Sequence, residues 1–318
     1  MSLKLPERVS IVELGPRDGL QSLERHYPVA TKVEMVETLA AAGFPTVEVT
    51  GFVRPDVIPQ LADGAEVFAG IKRRKDTVYR GLVPNKRGAE RAVDADADEI
   101  LGLITASDTY NLKNSNMSVA DNLDEIDGVA EVAAAAGKPV VVAIGVCMFC
   151  PYEGEIPESR VLEMIERMRG AGVDSFYIAT STGLDGPAKV ARLSSMILDR
   201  WPEITLGLHL HNTNGMALAN ALAGMQSGVS FLEGSICGIG GGIRMPYGMA
   251  HFGNIASEDL VHLCSELGVE CGIELDDALA AARRVKDLLE LETTFSSALQ
   301  GGTKAAVLEQ ARTAPHES

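Results

Sequence analysis

Two histidines one residue apart, His209 and His211, stand at the end of the apolar run ITLGLHLH (204–211) in a chain with six histidines. In a strand, residues i and i+2 face the same side, so both imidazoles project together, away from Leu208 and Leu210. Two protonated rings side by side repel, and two neutral rings bury polar nitrogens. A shared divalent metal resolves both problems; two core histidines bonded to backbone carbonyls are the alternative. Two ligands do not make a site. Asp18, in GPRDGLQ (15–21), offers a carboxylate, and Asn254, in GNIASED (253–259), an amide oxygen. Together they form a mixed oxygen and nitrogen set that suits Mg²⁺ or Mn²⁺, with Zn²⁺ as a further fit. Plainer readings stand beside these: Asp18 as a turn residue before Gly19, and Asn254 as the cap of the next helix.

Arg17 adjoins Asp18. Glu48 lies inside the strand-like TVEVTGF (46–52), where a core takes an apolar side chain. The two could form an ion pair at a barrel rim, and such a buried Glu could also orient a catalytic Arg. A metal next to a guanidinium suits carbonyl chemistry. The ion lowers the pKa of a bound hydroxyl, and the guanidinium stabilises a developing enolate oxygen. That pairing serves carbon–carbon cleavage or formation by a retro-aldol or Claisen route.

Residues this far apart need elements that converge. The chain alternates short β-rich runs with helical patterns. The runs are VSIVELG (9–15), TVEVTGF (46–52), TVYRGLV (77–83), EILGLIT (99–105), VVVAIGVC (140–147), SFYIATST (175–182), ITLGLHLH (204–211) and FLEGSIC (231–237). Between them, stretches such as ATKVEMVETLAAAG and VADNLDEIDGVAEVAAAAG end in Gly, as helix C-termini do. Eight such units predict an α/β fold, a (β/α)8 TIM barrel, with an additional C-terminal helix over ELDDALAAARRVKDLLELE (274–292). A doubly wound open sheet is the runner-up, disfavoured by the missing glycine fingerprint after the first strand. The barrel is expected over residues 1–292, with 293–318 a C-terminal extension, partly disordered. Active sites of this fold lie at the C-terminal strand ends. Arg17, Asp18, His209, His211 and Asn254 all fall there.

The length fits one large α/β domain or two smaller ones. The chain has 318 residues, 46% hydrophobic, and a formal net charge of -16. That charge argues against binding nucleic acid or anionic membranes. No apolar run is long enough to span a bilayer, and the N-terminal MSLKLPERVS has no signal-peptide core. Five cysteines, an odd number, suggest reduced thiols in a cytoplasmic protein. The pair in CMFC (147–150) has redox or zinc spacing, or simply packs near a strand end.

The motifs VELGPRDGLQ, VEVTGFVRPDVIPQLADG, ASDTYNLKNSNMS, CPYEG, HLHNTNGMALANA and GNIASEDLV follow one another through nearly the whole chain. In this order they closely resemble the hydroxymethylglutaryl-CoA lyase family of the DRE-TIM metallolyase superfamily. The resemblance implies a divalent-metal barrel that cleaves a 3-hydroxy-3-methylglutaryl thioester to acetyl-CoA and acetoacetate, the chemistry of leucine degradation. It implies Asp18, His209, His211 and Asn254 as metal ligands, and Arg17 as the group that polarises the thioester carbonyl. Gln21 and Glu48 would support Arg17, and His209 would exchange protons with the substrate. An acyl-CoA partner and a homodimer follow from the same likeness.

Three departures alter that pattern. The lyases carry a Gly-Gly-Cys-Pro loop after the eighth strand; here the loop reads GIGGGIRMPYGMAHFGN, with Gly242 at the Cys position and about three extra residues. The Asp that follows the second histidine in the family is Asn212 here. A strand-six GDT motif is ATS, so Thr180 takes the Asp position. Arg17, Thr180, Arg244 and Tyr247 are therefore the candidate substrate-binding residues. Arg244 and Tyr247 would serve as anion binder or proton donor, or else face solvent. Two pocket changes with one lost thiol favour a retargeted lyase over a decayed one. A condensing enzyme of the isopropylmalate-synthase type and a weakened homologue that binds CoA or metal are the remaining alternatives.

Overall fold

The structure, a computed structural model, describes residues 3–241 and 253–313. Eight parallel strands close a barrel: β1 (Ser10–Glu13), β2 (Thr46–Gly51), β3 (Val78–Val83), β4 (Glu99–Thr105), β5 (Val140–Gly145), β8 (Ser175–Thr180), β9 (Thr205–Leu210) and β10 (Phe231–Gly234). β6 (Phe149–Cys150) and β7 (Gly154–Glu155) form a separate two-stranded ribbon after β5. Every barrel strand sits within one of the eight predicted runs; β4 fills its run and the others are trimmed at one or both ends. Each is buried on both faces, which is why the runs read as continuous rather than alternating.

The outward faces of the strands pack under the surrounding helices, in a core that includes Ile11, Val47, Ile100, Phe176 and Leu208. The inward faces form a second core inside the barrel, built from Val12, Leu14, Leu101, Val141, Tyr177 and Phe231. Gly207 gives the Phe231 ring its room, since a Cβ there would overlap that ring. The helices begin with local chemistry read from sequence. Ser118 and Asp121 make a reciprocal capping box at the start of the Val119–Ala135 helix.

The additional helix spans Leu275–Leu289 and packs on the Val29–Ala41 and Ser257–Leu267 helices. The described part of the 293–318 extension forms two short helices, Ser297–Gly301 and Lys304–Thr313. Asp259 ties the first of them down, accepting from Ser296 Oγ at 3.0 Å and from the Ser297 and Ala298 amides at 2.9 and 2.7 Å. No helix among the described residues is long and apolar enough to cross a membrane.

Candidate active site

β1 ends in a turn of π-helix, Gly15–Gly19, a wide turn that occurs often at functional sites. The Leu14 carbonyl accepts from the amides of Arg17 at 3.0 Å and Asp18 at 2.8 Å, which aims both side chains over the barrel mouth. Glu13, pointing away from the barrel axis, secures this turn: its Oε1 accepts from the Gly15 amide at 2.7 Å and the Ile236 amide at 2.9 Å. Arg17 Nε donates to Glu48, and its Nη1 donates to Asp18 Oδ1 at 2.6 Å. Gln21 Nε2 donates to the same Asp18 oxygen at 2.9 Å. Asn254 Nδ2 donates to the other, Oδ2.

His209 is in β9, and His211 follows it in a backbone bridge to Asn254. The two Nε2 atoms lie 2.9 Å apart. One ligand atom from each of Asp18, His209 and His211 falls within 4.8 Å of the others, and all three residues are buried. The structure therefore brings together Arg17, Asp18, Gln21, Glu48, His209, His211 and Asn254, as the sequence predicts. The rim-pair reading of Arg17 and Glu48 holds as geometry. The cap reading of Asn254 does not, because its amide turns to Asp18 and the N-cap of the following helix is Ala256.

Electrostatics fix the charge states. Burial works against the Arg17 cation, but Glu48 and Asp18 more than offset it, and its pKa is raised. Burial likewise opposes the Asp18 carboxylate; Arg17, both imidazoles and the Asn254 bond hold its pKa below the usual range. Burial, then the neighbouring His209, pushes His211 down to about 3, so it is a neutral imidazole with a lone pair to offer. Burial raises Glu48, though Arg17 pulls against it.

A buried ion chain beneath this layer was not foreseen. Glu233 Oε2 lies 3.1 Å from His209 Nδ1, and its Oε1 accepts from Arg80 Nη1 at 2.7 Å. Arg80 Nε donates in turn to Glu99 at 2.5 Å. Glu233 fixes the His209 proton on Nδ1 and leaves the Nε2 lone pair facing the site. The signal was present in the sequence. Arg80 and Glu233 are charged residues inside apolar strands, as Glu48 is.

The residues present fit a divalent ion. Asn254 Oδ1 is buried and has no hydrogen-bond partner among the described residues, while the Nδ2 of the same amide donates to Asp18 Oδ2. An uncharged amide oxygen, a carboxylate and two imidazoles make a hard, mixed donor set. The backbone of Gly240, at φ +111°, lies against Asp18 and Asn254, where a Cβ would intrude. A cavity of about 120 Å³ opens beside this cluster, walled by Arg17, Gln21, Tyr177, His209 and His211.

Thr180 requires a correction. It is not a wall of this cavity; it is fully buried with its hydroxyl turned to the backbone, accepting from the His211 amide at 3.1 Å. Thr180 follows the inward-facing Ala179, and alternation along β8 sends it outward. It bears on the site through the His211 backbone. Gly242, Arg244 and Tyr247 lie outside the described residues. The CMFC thiols are both buried and turned to separate partners, Cys147 to the Ala179 carbonyl at 3.4 Å and Cys150 to Ser107 Oγ at 2.9 Å, which is the packing reading.

A closed (β/α)8 barrel with a buried metal-ligand cluster and a guanidinium at its C-terminal mouth defines the class: a barrel enzyme whose site is built for a divalent cation. The HMGL-like family model matches residues 8–285. The mitochondrial hydroxymethylglutaryl-CoA lyase of Bos taurus is 36% identical over 288 residues, covering 91% of this chain and 88% of that protein. The cytoplasmic 3-hydroxy-3-methylglutaryl-CoA lyase of Danio rerio is 34% identical over 290 residues, 91% of this chain and 86% of its own length. The HMG-CoA lyase structure from Bacillus subtilis superposes with a TM-score of 0.89 at 32% identity, covering 95% of this chain and 99% of that one. An HMG-CoA lyase from Acinetobacter baumannii, solved with coenzyme A and 3-methylmalate, gives a TM-score of 0.87 at 35% identity, covering 94% and 96%. The chain belongs to the HMGL-like family, the family its motifs predict.

Proposed function

We propose that this protein is a divalent-metal-dependent carbon–carbon lyase that cleaves 3-hydroxy-3-methylglutaryl-CoA to acetyl-CoA and acetoacetate. The observation that carries this reading is the Asp18, His209 and His211 cluster placed against Arg17 at one cavity. The named activity of the relatives, together with the family match, supports it.

Asp18, His209, His211 and Asn254 are the residues that would hold the ion, Mg²⁺ or Mn²⁺ by donor type. Bound there, it would supply Lewis-acid polarisation of substrate oxygens. The rest is the work of the chain. Arg17, held flat by Glu48 and Asp18, presents a permanent cation to the thioester oxygen, where negative charge grows as the carbon–carbon bond breaks. His209, with its proton kept on Nδ1 by Glu233, has one lone pair on Nε2. That lone pair serves metal binding or acceptance of the substrate's hydroxyl proton, one at a time. Gln21 and Asn254 fix the Asp18 carboxylate from both sides.

A cytoplasmic setting, a role in leucine degradation and a homodimer complete the reading. A second substrate, a different 3-hydroxyacyl-CoA, is favoured by Gly242, which stands where the family carries its loop cysteine. Steady-state cleavage of a thioester panel, with acetyl-CoA and the keto product quantified, separates the two. The first reading predicts the hydroxymethylglutaryl thioester as the best substrate, and preference for another 3-hydroxyacyl group would overturn it.

A further inference from the structure

One inward step below the histidines, the barrel interior carries a phenol. Across the sheet Tyr177 pairs with Gly207 on one side and Ala143 on the other, and Ala143 pairs with Leu103. His209 pairs with Ala179, the next inward position along β8. Tyr177 is therefore one step deeper than His209. Within its row, only Tyr177 brings a side-chain polar atom to the cavity wall. Its ring is fixed on two sides, stacked on His209 with centroids 5.6 Å apart and edge-on to Phe231 at 6.4 Å. Tyr177 is 3% exposed, and among the described residues none hydrogen-bonds its hydroxyl. The charges around that hydroxyl are Glu233, Glu48, Arg17 and Arg80.

Among the described residues no protein group engages this hydroxyl, and it is not sealed from solvent, so it is free to bond a ligand. Here it sits on an immobile ring at the wall of a small cavity. Coenzyme A far exceeds about 120 Å³, so it must stay outside while the acyl group enters with its free end leading. That end meets the row of Leu103, Ala143 and Tyr177, which offers a single donor.

The geometry points to Tyr177 as a substrate-contacting specificity residue. Its hydroxyl donates a hydrogen bond to an oxygen at the inner end of the acyl group, and its ring limits how long that group can be. This rests on the lyase reading above, in which the inner end is the carboxylate of the glutaryl skeleton. Arg17 then meets the thioester oxygen one level higher.

The test uses thioesters without a 3-hydroxyl, which bind without turnover. Glutaryl-CoA and pentanoyl-CoA have the same chain length, and only the first ends in a carboxylate. Both are titrated calorimetrically onto the metal-loaded wild type and Tyr177→Phe, a variant that keeps the stacked ring. The expected result is a loss of about tenfold or more in glutaryl-CoA affinity, with pentanoyl-CoA changed less than about twofold. Equal affinities in both proteins, or equal losses on both probes, overturn the assignment. Tyr177→Ser supplies an independent reading. It should raise kcat/KM for 3-hydroxy-3-methyladipoyl-CoA, one methylene longer, at least about tenfold relative to the glutaryl substrate, and an unchanged ratio would contradict the role of the ring. A wild type that binds glutaryl-CoA but cleaves no thioester would refute the lyase reading alone, leaving the binding comparison to decide on Tyr177.

Discussion

The Nε2 atoms of His209 and His211 face each other at 2.9 Å, with Asp18 completing the group. Both cannot offer a lone pair to the other. Glu233 keeps the His209 proton on the far nitrogen, which leaves the His209 Nε2 lone pair facing a neutral His211. A cation between them turns this conflict into a site.

If both rings are ligands, His209→Asn and His211→Asn should each weaken Mn²⁺ binding at least about a hundredfold, more than the loss of an outer-shell partner costs. Calorimetric titration of Mn²⁺ reads this directly. A His209 variant with unchanged metal affinity and a collapsed kcat would assign His209 to proton exchange alone.

Thr180 acts on the site only through the His211 backbone. Thr180→Val removes one hydrogen bond of nearly equal volume. Metal affinity should fall about three- to tenfold while KM for the thioester, measured at saturating metal, stays within about twofold. A large rise in KM would return Thr180 to the pocket wall.

Arg17 works through its planar fork, which Glu48 and Asp18 hold in place. Arg17→Lys keeps the charge and loses that geometry. We expect kcat to drop about a hundredfold or more and KM to change less than about fivefold. The reverse pattern, intact kcat with weak binding, would make Arg17 a plain anion anchor.

Glu258 lies under the segment that follows β10, its carboxylate accepting from the Cys237 amide. Burial raises its pKa to about 8. A carboxyl whose folded pKa exceeds its unfolded one favours the fold while protonated. That contribution is complete below the unfolded value and is lost as pH rises through about 8. Glu13, raised by burial to about 7, adds to the same slope. Scanning calorimetry at fixed metal concentration should show Tm falling from pH 5 to 9. Glu258→Gln should reduce that fall by about 5 °C. An unchanged pH dependence would show that Glu258 does not titrate across this range.

Much of this was legible in the sequence, for reasons particular residues make plain. A barrel strand buried on both faces is a continuous apolar run, so SFYIATST and VVVAIGVC announced themselves. The motif residues at strand ends converge because the fold leaves them nowhere else to go. What was missed has physical causes too. The β6 and β7 ribbon is two residues per strand, too short for any period to register. Thr180 was read by its motif position, but one step of alternation along β8 decides which way it points. Arg80 and Glu233 each looked like an isolated charge in a strand, and only barrel closure joins β3 to β10 across the interior.

The most direct measurement of the whole account is the cleavage of 3-hydroxy-3-methylglutaryl-CoA by the wild-type protein, first chelated and then resupplied with Mn²⁺. We predict equimolar acetyl-CoA and acetoacetate with the metal present, loss of turnover on chelation, and its return when Mn²⁺ is restored. Cleavage undiminished after complete removal of metal, or no cleavage by a protein that demonstrably holds Mn²⁺ at Asp18, His209 and His211, would contradict it.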